Sequence, residues 1–195
     1  MRTPHHRAEL TTIAFPANRK PESGGLFEIG TGVLCLFLFL IPANGFAQEN
    51  GFSLGYGFGI LNTNSTVGEI ENHRPYQFVQ GTLFREFSIA RTFFIVAEPY
   101  LAYTWRPREG TDAGVGLFFR NKLGNFFVSW GGGGAYSSIK FEEQGTHYFF
   151  ILQGGIGYNW KNFFIENRFR HYSNGGLATP NHSINANIVS VGVRF

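Results

Sequence analysis

Bulky apolar residues take every second position in one segment of this chain after another, with small or polar residues between them. The first such run sets Phe52, Leu54, Tyr56, Phe58 and Ile60 on one side and Ser53, Gly55, Gly57 and Gly59 on the other. Successive side chains of a strand point to opposite faces, so this alternation predicts a strand. Seven further candidates follow, at about Tyr76 to Phe87, Thr92 to Trp105, Ala113 to Asn121, Phe126 to Ser138, His147 to Asn159, Phe163 to Ser173 and Ile184 to Phe195. The second is the least regular, with Gln80 and Thr82 breaking its apolar face. The connection after the first strand is long, whereas those around Ser88 to Arg91, Asn121 to Asn125 and Asn159 to Asn162 are short. An even number of alternating strands joined by alternately short and long connections predicts an all-β fold: an eight-stranded antiparallel transmembrane β-barrel of the outer-membrane type.

Which face meets lipid follows from size. An eight-stranded barrel is only just wide enough inside for side chains, so glycine and serine suit the lumen and the aromatics suit the exterior. A water-soluble barrel would reverse the faces, crowding the aromatics inward and leaving Glu98, Arg120, Glu166, Arg168, Arg170 and Arg194 outside. The membrane arrangement shelters those six in the lumen, away from a bilayer midplane where a charge costs ~2–4 kcal/mol. In the last strand Val189, Val191 and Val193 oppose Ser190, Gly192 and Arg194 before the terminal Phe195, an ending that resembles the assembly signal of outer-membrane barrels. If the mature N-terminus starts in the periplasm, strands one, three, five and seven end outside, and Asn174 to Ser183 form an external loop.

Composition sharpens this picture. Aromatic residues make up 17% of the chain and charged ones only 15%, an unusual surface for a soluble protein. The net charge is +3 with the basic residues scattered singly, which argues against nucleic acid as a partner. Basic residues up to Arg19 and Lys20 precede the charge-free run Ile29 to Pro42, and the small residue Ala47 follows. Residues 1–47 are therefore expected to be a cleaved signal peptide and 48–195 the barrel domain. An uncleaved anchor is the alternative, but roughly 14 apolar residues fall short of the ~20 of a spanning helix. Cys35, the single cysteine, lies inside that run, so the mature chain would carry no thiol nucleophile or disulfide.

One strand carries candidate chemistry. On strand seven Phe163, Ile165, Asn167, Phe169, His171 and Ser173 share the expected lipid face, and Glu166, Arg168 and Arg170 the lumen. A histidine and a serine two apart on a strand lie side by side, where imidazole can take the hydroxyl proton and make a nucleophile. On spacing alone an interfacial polar pair is the commoner outcome, since H-x-S is a weak motif, and the location at the outer end of the strand is what favours chemistry. His73, His147 and His182 are scattered without i+2 or i+4 partners and are expected at the surface rather than on zinc. "WGGGG" at Trp130 to Gly134 lacks the lysine of a phosphate loop and fits a strand whose backbone packs closely. Tyr100, Tyr103, Trp105, Trp130, Tyr158 and Trp160 are expected in an interfacial aromatic girdle, and Arg106 and Arg108 in an external loop facing lipid phosphates.

The stretch His171-Tyr172-Ser173-Asn174-Gly175-Gly176-Leu177, followed by Pro180-Asn181, resembles the outer-membrane lipid A 3-O-deacylase family (PagL type), also called acyloxyacyl hydrolases. The family's signature runs approximately H-x-S-N-x-G-L and then P-N, and at motif level the similarity covers the last 30 or so residues. The resemblance implies an eight-stranded barrel with its active site on the lipid-facing exterior, no metal or organic cofactor, and hydrolysis of the ester-linked acyl chain at the 3-position of lipid A. By it Ser173 is the nucleophile, His171 the general base, and Asn174, Gly176 and Asn181 the oxyanion and substrate-binding set, Gly176 through its backbone N–H. The family's third member, an acidic residue fourteen positions after the histidine, is replaced by Asn185. An amide can orient the imidazole but not stabilise imidazolium by charge. Either a slower enzyme or a degenerate member follows. A non-enzymatic small barrel of OmpX type is the rival from another class, and a pore a weaker one. Lipid A and the outer membrane are the expected partners, with a homodimer left open.

Overall fold

The computed structural model describes residues 48–61, 69–71 and 74–195. The expected signal segment 1–47 and His73 lie outside the described residues. Eight long strands form one closed antiparallel barrel. We label them β1 (Gln48–Gly59), β2 (Gln77–Ala90), β3 (Phe93–Arg106), β4 (Gly110–Leu123), β5 (Phe126–Ser137), β6 (Tyr148–Trp160), β7 (Phe163–Ser173) and β8 (Ile184–Arg194). Each strand pairs with its sequence neighbour, and β8 pairs with β1, Gly51 opposite Arg194, so the sheet has no free edge. A small ribbon, Glu69–Ile70 against Arg74–Pro75, stands outside the barrel sheet; the alternation did not signal it.

The strands are those expected, with shifted ends. β4 begins at Gly110 rather than Ala113, which reduces the β3–β4 connection to residues 107–109. Residues 91–92, 124–125 and 161–162 make the tight turns at one end, with positive φ at Gly124 and Lys161. Both ends of the described barrel meet at that same end, where Asn50 and Phe195 exchange backbone hydrogen bonds. The described residues 60–61, 69–71 and 74–76, with the connections 107–109, 138–147 and 174–183, occupy the opposite end.

The two faces divide as alternation requires. Leu54, Leu101, Leu117, Phe150, Leu152 and Val191 are exposed, an apolar outer wall that would be untenable in water. Inside, Phe78 and Phe84 fit because glycines face them: a side-chain carbon at Gly57 would stand 2.1 Å from the Phe78 ring, and one at Gly51 2.0 Å from Phe84. Phe84, Val96, Phe118, Phe127 and Phe164 fill the lumen near the tight turns. A larger cluster including Tyr76, Phe78, Phe149, Tyr172 and Ile184 fills it near the long connections.

The charged residues expected in the lumen are all buried there. Arg168 reaches Glu98 (2.8 Å) and Glu166 (2.6 Å); Arg120 bonds Glu86 and lies 3.4 Å from Glu166; Arg194 (3.3 Å) and Lys122 (2.8 Å) also meet Glu86. Tyr100, by contrast, does not join an outer girdle. It is buried in the lumen beneath the Arg170 guanidinium, 4.5 Å from its ring centre, because its strand position is even with the inward Glu98 and Ala102.

Candidate active site

The β7–β8 hairpin presents two faces. Phe164, Glu166, Arg168, Arg170 and Tyr172 are buried inward, while Phe163, Ile165, Asn167 and Phe169 are exposed on the outer wall. His171 and Ser173 continue the outer face at the end of β7 near the long connections, each half-buried. The antiparallel register sets Asn185 of β8 directly opposite His171. Glu166 faces the lumen, bonded to Ser129 (2.6 Å) and Arg168, and does not reach the imidazole.

The pair across the strands is joined: His171 Nδ1 lies 2.8 Å from Asn185 Oδ1. Which amide atom faces the ring is fixed by the other end of the side chain, because Asn185 Nδ2 donates to the Leu61 carbonyl at 2.8 Å. The oxygen therefore accepts, Nδ1 carries the proton, and Nε2 is left as the basic nitrogen. Asn185 is buried, as a residue bonded on both sides should be. Its backbone oxygen is anchored too, accepting from Ile60 N at 3.0 Å.

Ser173 stands beside this pair without a hydrogen bond to His171. Its hydroxyl donates to Asn181 Oδ1 at 3.2 Å and accepts from the Gly175 N–H at 3.1 Å. The Asn174 N–H also donates to Asn181 Oδ1 (3.1 Å), so the Asn181 amide has its oxygen turned inward. Its Nδ2 has no partner among the described residues.

Two expected site residues behave differently from the sequence expectation. Asn174 is fully buried, and its Nδ2 donates to the carbonyls of Gln144 (2.6 Å), Ala178 (2.9 Å) and Pro180 (3.0 Å). With its donors used within the loop and on the neighbouring 138–147 connection, Asn174 fastens the 174–183 connection and turns no donor outward. Gly176 has its N–H occupied by Asn174 Oδ1 at 2.7 Å, so it points at the loop's own amide rather than outward. Gly175 and Gly176 both have positive φ, which brings these N–H groups round toward the Ser173–Asn174 corner.

Leu61, Gly175 and Gln144 were missed as contributors. Gln144, fully buried, reaches across from the 138–147 connection to the His182 carbonyl, and the Glu143 carbonyl accepts from His182 N at 2.8 Å. Only the motif's Asn-Gly-Gly hinted at a folded loop; nothing in sequence linked it to residues 30 or more positions away. His147 stacks on Tyr136 and bonds the Ser137 carbonyl at 2.8 Å. Arg108 pairs with Glu71 and bonds the Lys140 carbonyl at 2.8 Å, so it ties loops together instead of standing free for phosphate. Among the described residues no group of histidine, cysteine, aspartate and glutamate is arranged to hold a metal ion.

Comparison with known proteins gives a consistent picture. The family model described as "Lipid A 3-O-deacylase (PagL)" matches residues 84–194, more than half of the chain and far more than the closing motif. Among curated protein sequences nothing matches at a significant level. Of solved structures, the outer membrane enzyme PagL superposes with a TM-score of 0.55 at 16% identity, covering 72% of this chain and 98% of that one. The N-terminal β-barrel domain of Pseudomonas aeruginosa OprF gives 0.50 at 11% identity over 76% of this chain and 100% of that one. At such identities these likenesses speak for the fold alone.

Proposed function

Because the chain belongs to the lipid A 3-O-deacylase (PagL) family, a family of outer-membrane barrels, we propose that it is a serine esterase that removes the acyl chain ester-linked at the 3-position of lipid A in the outer leaflet. Residues 1–47 would direct export and be cleaved. The observation that carries the chemistry is the His171–Asn185 pair, clamped through Leu61 on the outer wall beside Ser173. It leaves Nε2 free of its proton and on the side of the barrel where a lipid ester would lie.

In this mechanism the Ser173 hydroxyl swings from Asn181 to His171 Nε2, a rotation that gives up one neutral hydrogen bond and makes another. Catalytic hydrogen bonds are commonly long or unmade until substrate is in place. Nε2 takes the proton as Oγ attacks the ester carbonyl carbon. The resulting oxyanion is met by the unpartnered Asn181 Nδ2, with the N–H of Gly176 released from Asn174 to join it; each such donor is worth about 2.7–4 kcal/mol in comparable hydrolases. Collapse expels the sugar hydroxyl, which takes the proton from His171, and water then hydrolyses the acyl-serine with the imidazole again acting as base. Asn185 holds the tautomer throughout and contributes no charge.

The test is mass spectrometry of lipid A incubated with the purified barrel. The wild type is expected to release the 3-position acyl chain, and Ser173→Ala to release none. Equal release by both defeats the Ser173 esterase, and none by either defeats it and favours a non-enzymatic barrel.

A further inference from the structure

The outer wall around Ser173 is chemically lopsided. Toward β8 lies Asn185, bonded to His171 of β7, and below that pair Asn167 of β7 and Asn187 of β8 exchange two amide hydrogen bonds, 2.8 and 3.0 Å, on the lipid-facing surface. A hydrocarbon laid there would cover the amides' remaining donors and acceptors and leave them unsatisfied. On the β6 side Phe150 stands opposite Ser173 and Leu152 opposite His171, both exposed and wholly apolar. Next in that row comes Gly154, flanked by Phe169 of β7 and Trp130 of β5.

Gly154 differs from its neighbour. A side-chain carbon at Gly155, which faces inward, would press within 2.8 Å of Arg168 and of the Asn167 carbonyl, whereas one at Gly154 would meet only the Ser129 carbonyl at 3.8 Å. Packing within the protein does not call for glycine at 154, and the missing side chain leaves a notch in the wall between two aromatic rings. It lies four residues below the Ser173 row, about 13 Å along the strand at ~3.3 Å per residue.

We propose that the acyl chain of the ester descends from Ser173 over β6, across Phe150 and Leu152, and seats its distal carbons in the notch at Gly154, which makes Gly154 the residue that sets the preference for long chains. This rests on the esterase function proposed above. The polar β8 side orients the imidazole; the apolar β6 side receives the chain; the nucleophile stands between them.

Two measurements test it. In detergent micelles the ratio of tetradecanoyl to butanoyl ester hydrolysis is compared between wild type and Gly154→Leu, with folding verified by heat-modifiable gel migration. Filling the notch is expected to lower that ratio about tenfold, the scale of a methylene or two misplaced in an apolar site. Separately, Ser173→Ala protein is photolabelled with a lipid ester bearing a diazirine at the end of its tetradecanoyl chain, with unlabelled lipid A as competitor. Competable label is expected to concentrate in 148–160. An unchanged ratio, or label spread evenly or centred on 184–194, overturns the seat. If the wild type hydrolyses neither ester, the esterase function fails on its own, and the label distribution still decides where the chain lies.

Discussion

Asn185 stands where the resemblance to the family led to the expectation of a carboxylate, and its surroundings suit an amide. Oδ1 serves His171 and Nδ2 serves the Leu61 carbonyl, so a glutamate there would gain charge opposite the imidazolium but turn an acceptor toward another acceptor. The gain outweighs the loss, since a carboxylate keeps the Nδ1–H tautomer that Asn185 already holds and adds charge stabilisation of the imidazolium formed in the reaction. Asn185→Glu is therefore expected to raise the lipid A deacylation rate at least tenfold, and Asn185→Ala to lower it below wild type, both read by mass spectrometry of released fatty acid. Asn174 offers a different prediction. Asn174→Asp replaces the donor held by three carbonyls with a fourth acceptor, and is expected to loosen residues 174–183, seen as new protease cleavage there while the barrel stays intact. At this scale alternation disclosed that His171 and Ser173 share the outer face of their strand, while the pairing of Asn185 directly opposite His171 is a matter of register that the fold supplies. The sequence did not disclose that Asn174 is buried, since a loop has no period from which burial can be inferred.

Strand β5 shows how much an element conceals within one composition. In Gly131-Gly132-Gly133-Gly134 the odd-numbered positions face inward, where an added carbon at Gly133 would sit 2.1 Å from the Val115 carbonyl. At the outward Gly134 the nearest atom would be the Phe149 carbonyl at 3.7 Å. Gly133→Ala is expected to destabilise the barrel by about 1–3 kcal/mol, as overpacking does, and Gly134→Ala to be nearly neutral, measured as urea midpoints in micelles. All eight strands were legible because each keeps its period over most of the element, β2 least cleanly at Gln80 and Thr82. Their ends were less so: Gly110 to Asp112 carry no apolar alternation, and β4 is extended there by pairing with β3 and β5 rather than by its own pattern. The same blindness applied to Tyr100, whose aromatic type suggested the rim while its parity with Glu98 assigned it to the lumen.

The molecule as a whole is held by a lumenal charge network that links strands far apart in sequence. Glu166 alone receives Ser129, Arg168 and Arg120, drawn from β5, β7 and β4. Glu166→Ala would leave two buried guanidinium groups short of a partner, and such a loss costs about 3–5 kcal/mol. A clear fall in unfolding midpoint is expected, with a smaller fall for Glu166→Gln. Aromatic layers above and below the network fill the remaining space, so planar-bilayer recordings are expected to show no discrete conductance steps, contrary to the pore alternative. The outward direction of the apolar wall was legible from lumen width alone; the partners inside it were not, because long arginines reach several strands at once.

Leu61 belongs to the segment leaving β1, and Asn185 to the strand that closes against β1. The clamp on the orienting amide thus spans the very seam at which the cylinder shuts. While the first and last strands are still apart during insertion, the Asn185 amide lacks its Leu61 anchor and the imidazole has no fixed tautomer. Under the esterase function proposed here, hydrolytic competence would arrive only with the final zippering of the wall.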